Sequence, residues 1–113
     1  MTKLSDTAPS KKLYAVYDKS AEAFNDPFCC VTDSQAVRAV ESAVTNPSSD
    51  ISRFPEDFVL YYLGEYVFGN GVIDSVEPRR IIDARSLLNE IKQRQTELSN
   101  LNSTEKQVDI PNI

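Results

Sequence analysis

Hydrophobic residues fall in blocks whose spacing predicts strands at three places. Residues 12–18 and 28–31 are short, dense apolar blocks with the length of strands. Residues 58–68 form a longer block that is apolar at both odd and even positions, which is typical of a strand covered on both sides. This block is therefore predicted to be the centre of a sheet. Strict alternation would put Phe58, Leu60, Tyr62, Tyr66 and Phe68 on one face, with Val59, Tyr61, Leu63 and Val67 on the other.

The segment after this block predicts a hairpin. Gly-Asn-Gly at residues 69–71 accepts the positive φ angles of a tight turn, so residues 72–76 would return antiparallel. Glu77 and Pro78 would interrupt that strand, because proline donates no hydrogen bond to a neighbouring strand. Residues 79–82 would then resume it at the edge of the sheet.

Two segments have the period of a helix. Thr32 and Gln35 have the spacing of a capping box, and Asn46, in the left-handed conformation, and Pro47 would end the helix that follows. Its apolar stripe comprises Ala36, Val37, Val40, Ala43 and Val44. Asp83 would cap a second helix, which we expect to leave the domain after Gln93. The stripe of this helix comprises Ala84, Leu87, Leu88, Ile91, Leu98 and Leu101, of which Ala84, Ile91 and Leu98 have the seven-residue spacing of a short coiled coil.

Together these elements predict an α+β fold, with a small, mostly antiparallel sheet, one packed helix and a C-terminal extended helix. Residues 19–26 and 47–55 are expected to be irregular connections. We expect residues 1–11 to be a mobile arm and residues 12–93 a single domain. Residues 94–113 would then be the helix end and a disordered tail, since the sequence there is polar.

Charge and residue content exclude several classes of function. Among 113 residues, 12 Lys and Arg against 17 Asp and Glu give a net charge of −5, so nucleic-acid binding through bulk positive charge is excluded and a local patch is required. The chain has no histidine, which removes Ser-His-Asp and Cys-His catalysis and histidine-ligated metals. No apolar run has the length of a membrane helix or a signal peptide. We therefore expect a soluble protein of a reducing cytoplasm, with no membrane association.

Two pairs of reactive side chains have simple interpretations. Cys29 and Cys30 are adjacent in the chain, so a disulfide between them would be strained. We interpret them as two small apolar side chains in a buried strand. The alternative is a redox-active pair near the start of a helix. Glu56 and Asp57 would point to opposite sides and offer too few oxygens for a metal, so we favour a turn or cap over catalysis. We predict no enzyme, no catalytic residue, no metal site and no cofactor.

One run of residues resembles a known family. FPEDFVLYYLGEY at residues 54–66 resembles the core of a small nonstructural protein of gokushovirus-type microviruses, which are phages with single-stranded DNA genomes. VYDK at residues 16–19, AEAF at residues 21–24 and the helix ending in Asn-Pro match in the same order, so that the resemblance covers residues 12–88.

The departures from the family pattern are local. The usual histidine of the motif is Phe54 here, residues 67–69 replace an acidic turn, and the chain from Asn89 extends beyond the usual end. The resemblance implies a DNA-binding role in genome replication, in the switch to single-strand synthesis or in packaging, within the host cell cytoplasm. It brings no catalytic residue with it.

The resemblance and the charges together predict a site for single-stranded phage DNA. Basic residues outnumber acidic ones between residues 76 and 94, whereas acidic ones dominate residues 50–77, so an acidic protein can still carry a basic face. Phosphate neutralisation would combine with base stacking on tyrosines, which gives sequence-tolerant, salt-sensitive binding. The predicted site comprises Arg79, Arg80, Arg85, Lys11, Lys12, Lys19, Arg38, Tyr61 and Tyr62.

Other interpretations remain open at this point. The tyrosines could belong to the core and the arginines to a solvated surface. Alternatively, the protein could be an adaptor that recruits replication or packaging factors through the two-faced aromatic strand and the C-terminal helix. That helix could also join copies of the chain into a homo-oligomer through Ile91, Leu98 and Leu101, or pack its first two turns and fray.

Overall fold

The fold is α+β, as the sequence predicts. A computed structural model describes the backbone of residues 9–109 and the side chains of residues 9–101. The strands are β1 (Lys11–Asp18), β2 (Ala23–Phe24), β3 (Phe28–Cys30), β4 (Phe58–Val67) and β5 (Val72–Asp83). The helices are α1 (Asp33–Val44), the one-turn α2 (Asp50–Arg53) and α3 (Ala84–Asp109), and a 3-10 turn spans Pro55–Asp57.

The strands form one antiparallel sheet in which β4 is central, as predicted. The order is β2-β1-β4-β5, and β3 pairs with β1 on the same edge as β2. Leu60 lies opposite Val16 of β1 and opposite Ile82 of β5, so β4 is paired on both sides. Strand β5 is an edge of the sheet, and a turn at residues 68–71 joins it to β4.

A bulge in β4 changes the alternation of its side chains. Tyr62 lies opposite Tyr14 of β1, but Leu13 lies opposite Gly64, so Leu63 is an extra residue. Gly64 has a φ of 143°, a conformation that side chains rarely adopt, and a Cβ there would overlap the backbone of β5. A glycine at this position therefore lets the two strands approach closely.

The bulge moves Tyr66 to the opposite face from the one that strict alternation gives. Tyr66 lies opposite Lys11, and Tyr61 lies opposite Ala15. Because Lys11 and Ala15 are an even number of residues apart on regular β1, all four side chains lie on one face. The prediction that Tyr66 shares the face of Tyr62 was wrong for this reason.

Strand β5 also continues where the sequence predicted an interruption. Ser75 pairs with Gly64 and Arg79 pairs with Tyr62, so residues 76–78 form a bulge opposite a single residue of β4. Pro78 is thus accommodated in an edge strand by a bulge rather than by a break.

Helix α1 begins at the predicted cap Thr32, with the return bond of Gln35 made one residue before the cap, and its end differs from the prediction. The Thr32 hydroxyl accepts a hydrogen bond from the Gln35 amide at 3.2 Å, and the Gln35 side chain accepts one from the Val31 amide at 2.9 Å. At the other end, Thr45 is the cap, and its side chain bonds the last carbonyls. Among the described non-glycine residues, only Glu22 has a positive φ. Asn46 therefore does not adopt the predicted left-handed conformation.

The connections contain more regular structure than the sequence indicates. Residues 19–26 include the two-residue strand β2, and residues 47–55 include helix α2. Strand β3 is short and only partly buried, so the prediction of a buried strand was wrong. Cys29 is exposed and Cys30 half-buried.

Helix α3 begins at the predicted cap. The Asp83 carboxylate accepts hydrogen bonds from the amide and the hydroxyl of Ser86, at 2.9 and 2.8 Å. Leu87 and Ile91 are buried, whereas Leu98 and Leu101 are 59% and 60% exposed, so the stripe continues past the end of the core. The helix extends to Asp109, further than the sequence predicts, while residues 1–8 of the predicted arm and residues 110–113 lie outside the described residues. The domain boundaries at residues 11 and 93 stay predictions.

The core lies on one side of the sheet, which we call the closed face. Its sheet residues include Tyr14, Val16, Phe58 and Leu60, and α1 and α3 contribute Ala36, Val40, Val44, Ala84, Leu87 and Ile91. The other side is called the open face, because both long helices pack on the closed one. The open face carries Lys11, Leu13, Ala15, Tyr17, Phe24, Cys29, Val59, Tyr61, Tyr66 and Arg80.

Candidate nucleic-acid interface

A polar network at the edge of the closed face ties α1 to the sheet. The buried Tyr14 hydroxyl donates to Asp33 at 2.5 Å, and Arg79 bonds the other Asp33 oxygen at 3.2 Å. The Arg79 guanidinium lies over the Tyr62 ring, 4.8 Å from its centroid. Tyr62 in turn donates to Glu65 at 3.3 Å. Arg79 and Tyr62 are therefore held in structural contacts.

The same network shifts the pKa values of its members. The hydrogen bond from Tyr14, aided by Arg79, lowers the pKa of Asp33 despite partial burial. Burial, followed by the hydrogen bond to Asp33, raises the pKa of Tyr14. Burial and the nearby Glu65 raise the pKa of Tyr62. Asp33 is thus held as a carboxylate that accepts from a neutral tyrosine.

Three aromatic rings form a cluster on the open face. Tyr17, Phe24 and Tyr61 contact one another edge to face, with ring centroids 4.9, 5.5 and 6.4 Å apart. Ala15 and Val59, whose register places them among these rings, are only 1% and 3% exposed, although the buried residues of both long helices pack on the other side of the sheet. Phe24 is 42% exposed, so the cluster presents ring surface to solvent.

The positive charges of the open face come from two residues on different strands. Arg80 lies opposite Tyr61, and Lys11 lies opposite Tyr66 with its ammonium 5.6 Å from the Phe68 ring centroid. Asp83 is the one carboxylate among the regularly paired positions described on this face, and it bonds Arg80 at 2.9 Å. Cations and exposed aromatic surface thus occur together here.

The residues predicted to bind DNA are divided among several surfaces. Arg80, Lys11 and Tyr61 lie on the open face, and Lys19 follows β1 at the neighbouring turn. The remaining five lie elsewhere: Arg79, Tyr62 and Lys12 are on the closed side of the sheet, Arg38 is on an exposed part of α1, and Arg85 is on α3.

Three of the four predicted arginines are paired with carboxylates. Arg79 pairs with Asp33 and Arg80 with Asp83, at 3.2 and 2.9 Å, and Arg85 pairs with Glu56. The hydrogen bond from Arg85 also lowers the pKa of Glu56. Arg38 makes no ion pair with any other residue whose side chain is described. The structure therefore does not gather these arginines into one unpaired basic patch.

Phe24 belongs to the aromatic cluster but was absent from the predicted site. The sequence places it in a connection, where a lone phenylalanine has no periodic neighbours. The contact to Tyr17 depends on the pairing of β2 with β1. The two-residue length of β2 gave no pattern from which to predict this.

The hairpin end also exposes apolar side chains, and the register places Val72 and Ile73 on opposite faces of the sheet. Phe68, Val72, Ile73 and Val76 are each about half exposed or more. Larger exposed apolar patches on soluble domains are typical of interaction sites. Within the described residues, no helix is long and apolar enough to cross a membrane, and no three metal-ligating side chains cluster.

The fold and these surfaces define a small α+β protein whose sheet is covered by helices on one side and bears an aromatic cluster on the other. Comparison with known families matches residues 11–87 to the model of the Phage ORF5 protein family, and the chain belongs to this family. No curated protein and no solved structure matches the chain. The protein is therefore a phage protein.

Proposed function

We propose that this phage protein binds single-stranded DNA without catalysing a reaction, in the cytoplasm of the infected cell, during microvirus genome replication, single-strand synthesis or packaging. Bases would stack on the open face and phosphates would contact Arg80, Lys11 and, at its border, Lys19. Sequence preference would be weak, because aromatic stacking accepts every base.

The observation that supports this proposal most is the cluster of Tyr17, Phe24 and Tyr61 on the open face, with Arg80 beside it. Single-strand binding proteins combine exposed rings with cations that follow the backbone. Two cations on the face and Lys19 at its border correspond to two or three neutralised phosphates, so the slope of log affinity against log salt would be shallow, at about −1.4 to −2.1.

The test is fluorescence anisotropy of a labelled oligothymidylate at low and moderate salt. Phe24→Ala should weaken binding about tenfold, because removing one stacking ring from such proteins costs about 1–3 kcal/mol per base. Phe54→Ala is the matched control, since Phe54 is also a half-exposed phenylalanine and lies outside the sheet. It should leave the affinity unchanged.

Two results would contradict the proposal. Equal losses in both variants would mean that the open face has no special role. No binding by the wild type even at low salt would mean that the protein does not use single-stranded DNA as a ligand.

The second candidate is an adaptor that recruits replication or packaging factors, and the paired arginines favour it. Their charges are partly satisfied within the protein, and the exposed apolar hairpin end offers a surface for a protein partner. Homo-oligomer formation through the exposed Leu98 and Leu101 of α3 belongs to this candidate. An absence of DNA binding at low salt would make it the preferred function.

A further inference from the structure

We infer that Arg80 forms a phosphate subsite of the open face and that Asp83 is its built-in competitor, so that a DNA phosphate must replace the Asp83 carboxylate to bind. This inference rests on the proposed function and names the residue that sets the affinity of the site. The ligand is a phosphodiester of an unpaired strand whose base lies against the aromatic cluster.

Arg80, Asp83 and the aromatic cluster lie close together on the open face. Arg80 lies directly opposite Tyr61, whose ring contacts Tyr17 and Phe24, so a phosphate at Arg80 would lie next to the stacking surface. The Arg80 guanidinium bonds Asp83 Oδ1 at 2.9 Å, across the bulge at Ile81. Its side chain remains 57% exposed, so solvent and ligands reach it.

Asp83 has a second set of contacts that keeps it in place when Arg80 leaves. Its Oδ2 accepts from the Ser86 amide, and Oδ1 also accepts from the Ser86 hydroxyl at 2.8 Å. Burial alone would raise the pKa of Asp83, but the bonds from Ser86 and Arg80 outweigh it and the pKa is lowered. The competitor is therefore ionised at neutral pH and is fixed by the start of α3.

The cost of the exchange is small. Arg80 is well exposed whereas Asp83 is mostly covered, so the separated guanidinium is solvated by water and the carboxylate keeps its bonds from Ser86. An ion pair near the surface contributes little net free energy. A phosphate carries a charge like that of the carboxylate and can accept two guanidinium bonds. Repulsion between the phosphate and the remaining Asp83 charge would still weaken binding.

Asp83→Asn tests the inference, because asparagine caps a helix about as well as aspartate. The affinity of the full-length chain for a labelled oligothymidylate should rise about threefold to fivefold at low salt, and the gain should shrink as salt rises. Asp33→Asn is the matched control, since it removes the same charge and frees Arg79 on the closed side. It should change the affinity less than about twofold.

The outcomes separate the inference from the proposed function. If the wild type binds and Asp83→Asn binds no better than Asp33→Asn, Asp83 is not a competitor although the open face binds DNA. If no variant binds, the proposed function itself fails. Glu56→Gln, which frees Arg85, provides a second charge-matched control should Asp33→Asn unfold more easily than the wild type.

Discussion

The two faces of the sheet bury their side chains by different means. On the closed face, Leu60 and Tyr14 are covered by α1 and α3, which contribute six side chains to the same core. On the open face, Ala15 and Val59 are also buried, and they lie opposite Tyr61 and Tyr17 of the aromatic cluster. Phe24 of the open face is 42% exposed, and under the proposed function an incoming base would stack on this ring surface.

The two faces also differ in how many contacts hold their arginines. Arg79 and Arg80 are neighbours on β5 and each pairs with one carboxylate, but Arg79 also lies over Tyr62 and bonds an aspartate that Tyr14 holds. Among the side chains that the structure describes, Arg80 is bonded to Asp83 at the start of α3. The comparison therefore separates a structural arginine from an available one, although the sequence shows them as equivalent.

The largest expected effect is on stability, and it separates the two faces. Leu60→Ala should lower the free energy of unfolding by about 2–5 kcal/mol, because it leaves a cavity in the closed core. Phe24→Ala should cost only about 1 kcal/mol, because Phe24 is well exposed and mainly loses ring contacts. Urea unfolding followed by circular dichroism measures both. Equal losses would mean that the open face is a second core rather than a binding surface.

A smaller effect depends on pH and tests the closed-face network. Asp33→Asn should reduce the free energy of unfolding by about 1 kcal/mol at pH 7, a value lowered for the partial exposure of the ion pair. The pKa of Asp33 is lower in the folded protein than in the unfolded chain, so its contribution is present above about pH 4 and is lost as the pH falls through the folded value.

The difference between wild type and variant should therefore shrink in acid. Urea unfolding at pH 7 and near pH 3 measures it. Asp83 and Glu56 titrate alike in both proteins, so their contributions cancel. A difference that stays constant with pH would show that the Asp33 charge does not act through Tyr14 and Arg79.

Much of the fold could be predicted because its signals are local. The spacing of Thr32 and Gln35, the Gly-Asn-Gly turn and the two-faced apolar block each determine an element without reference to the rest of the chain. The errors arose where distant residues decide the outcome. The sequence does not show that the backbone of β5 lies too close to Gly64 for any side chain. Nor does it show the bulge at Leu63, which moves Tyr66 to the other face.

The candidate site was less predictable than the fold. A sequence shows which cations are available, but it does not show which carboxylate each one meets. Asp33 is far from Arg79 along the chain, and Glu56 is far from Arg85. The sequence therefore supplies candidate residue types for the site, which stays a prediction, whereas the surface on which each residue lies and its partner follow from tertiary pairing.

The most direct test of the account compares Arg80→Glu with Arg79→Glu in binding to a labelled oligothymidylate at low salt. Both variants change the net charge equally, and circular dichroism checks that both are folded. We predict that Arg80→Glu weakens binding about tenfold or more, whereas Arg79→Glu changes it less than about threefold. Equal losses, or no loss in either variant, would contradict the assignment of DNA binding to the open face.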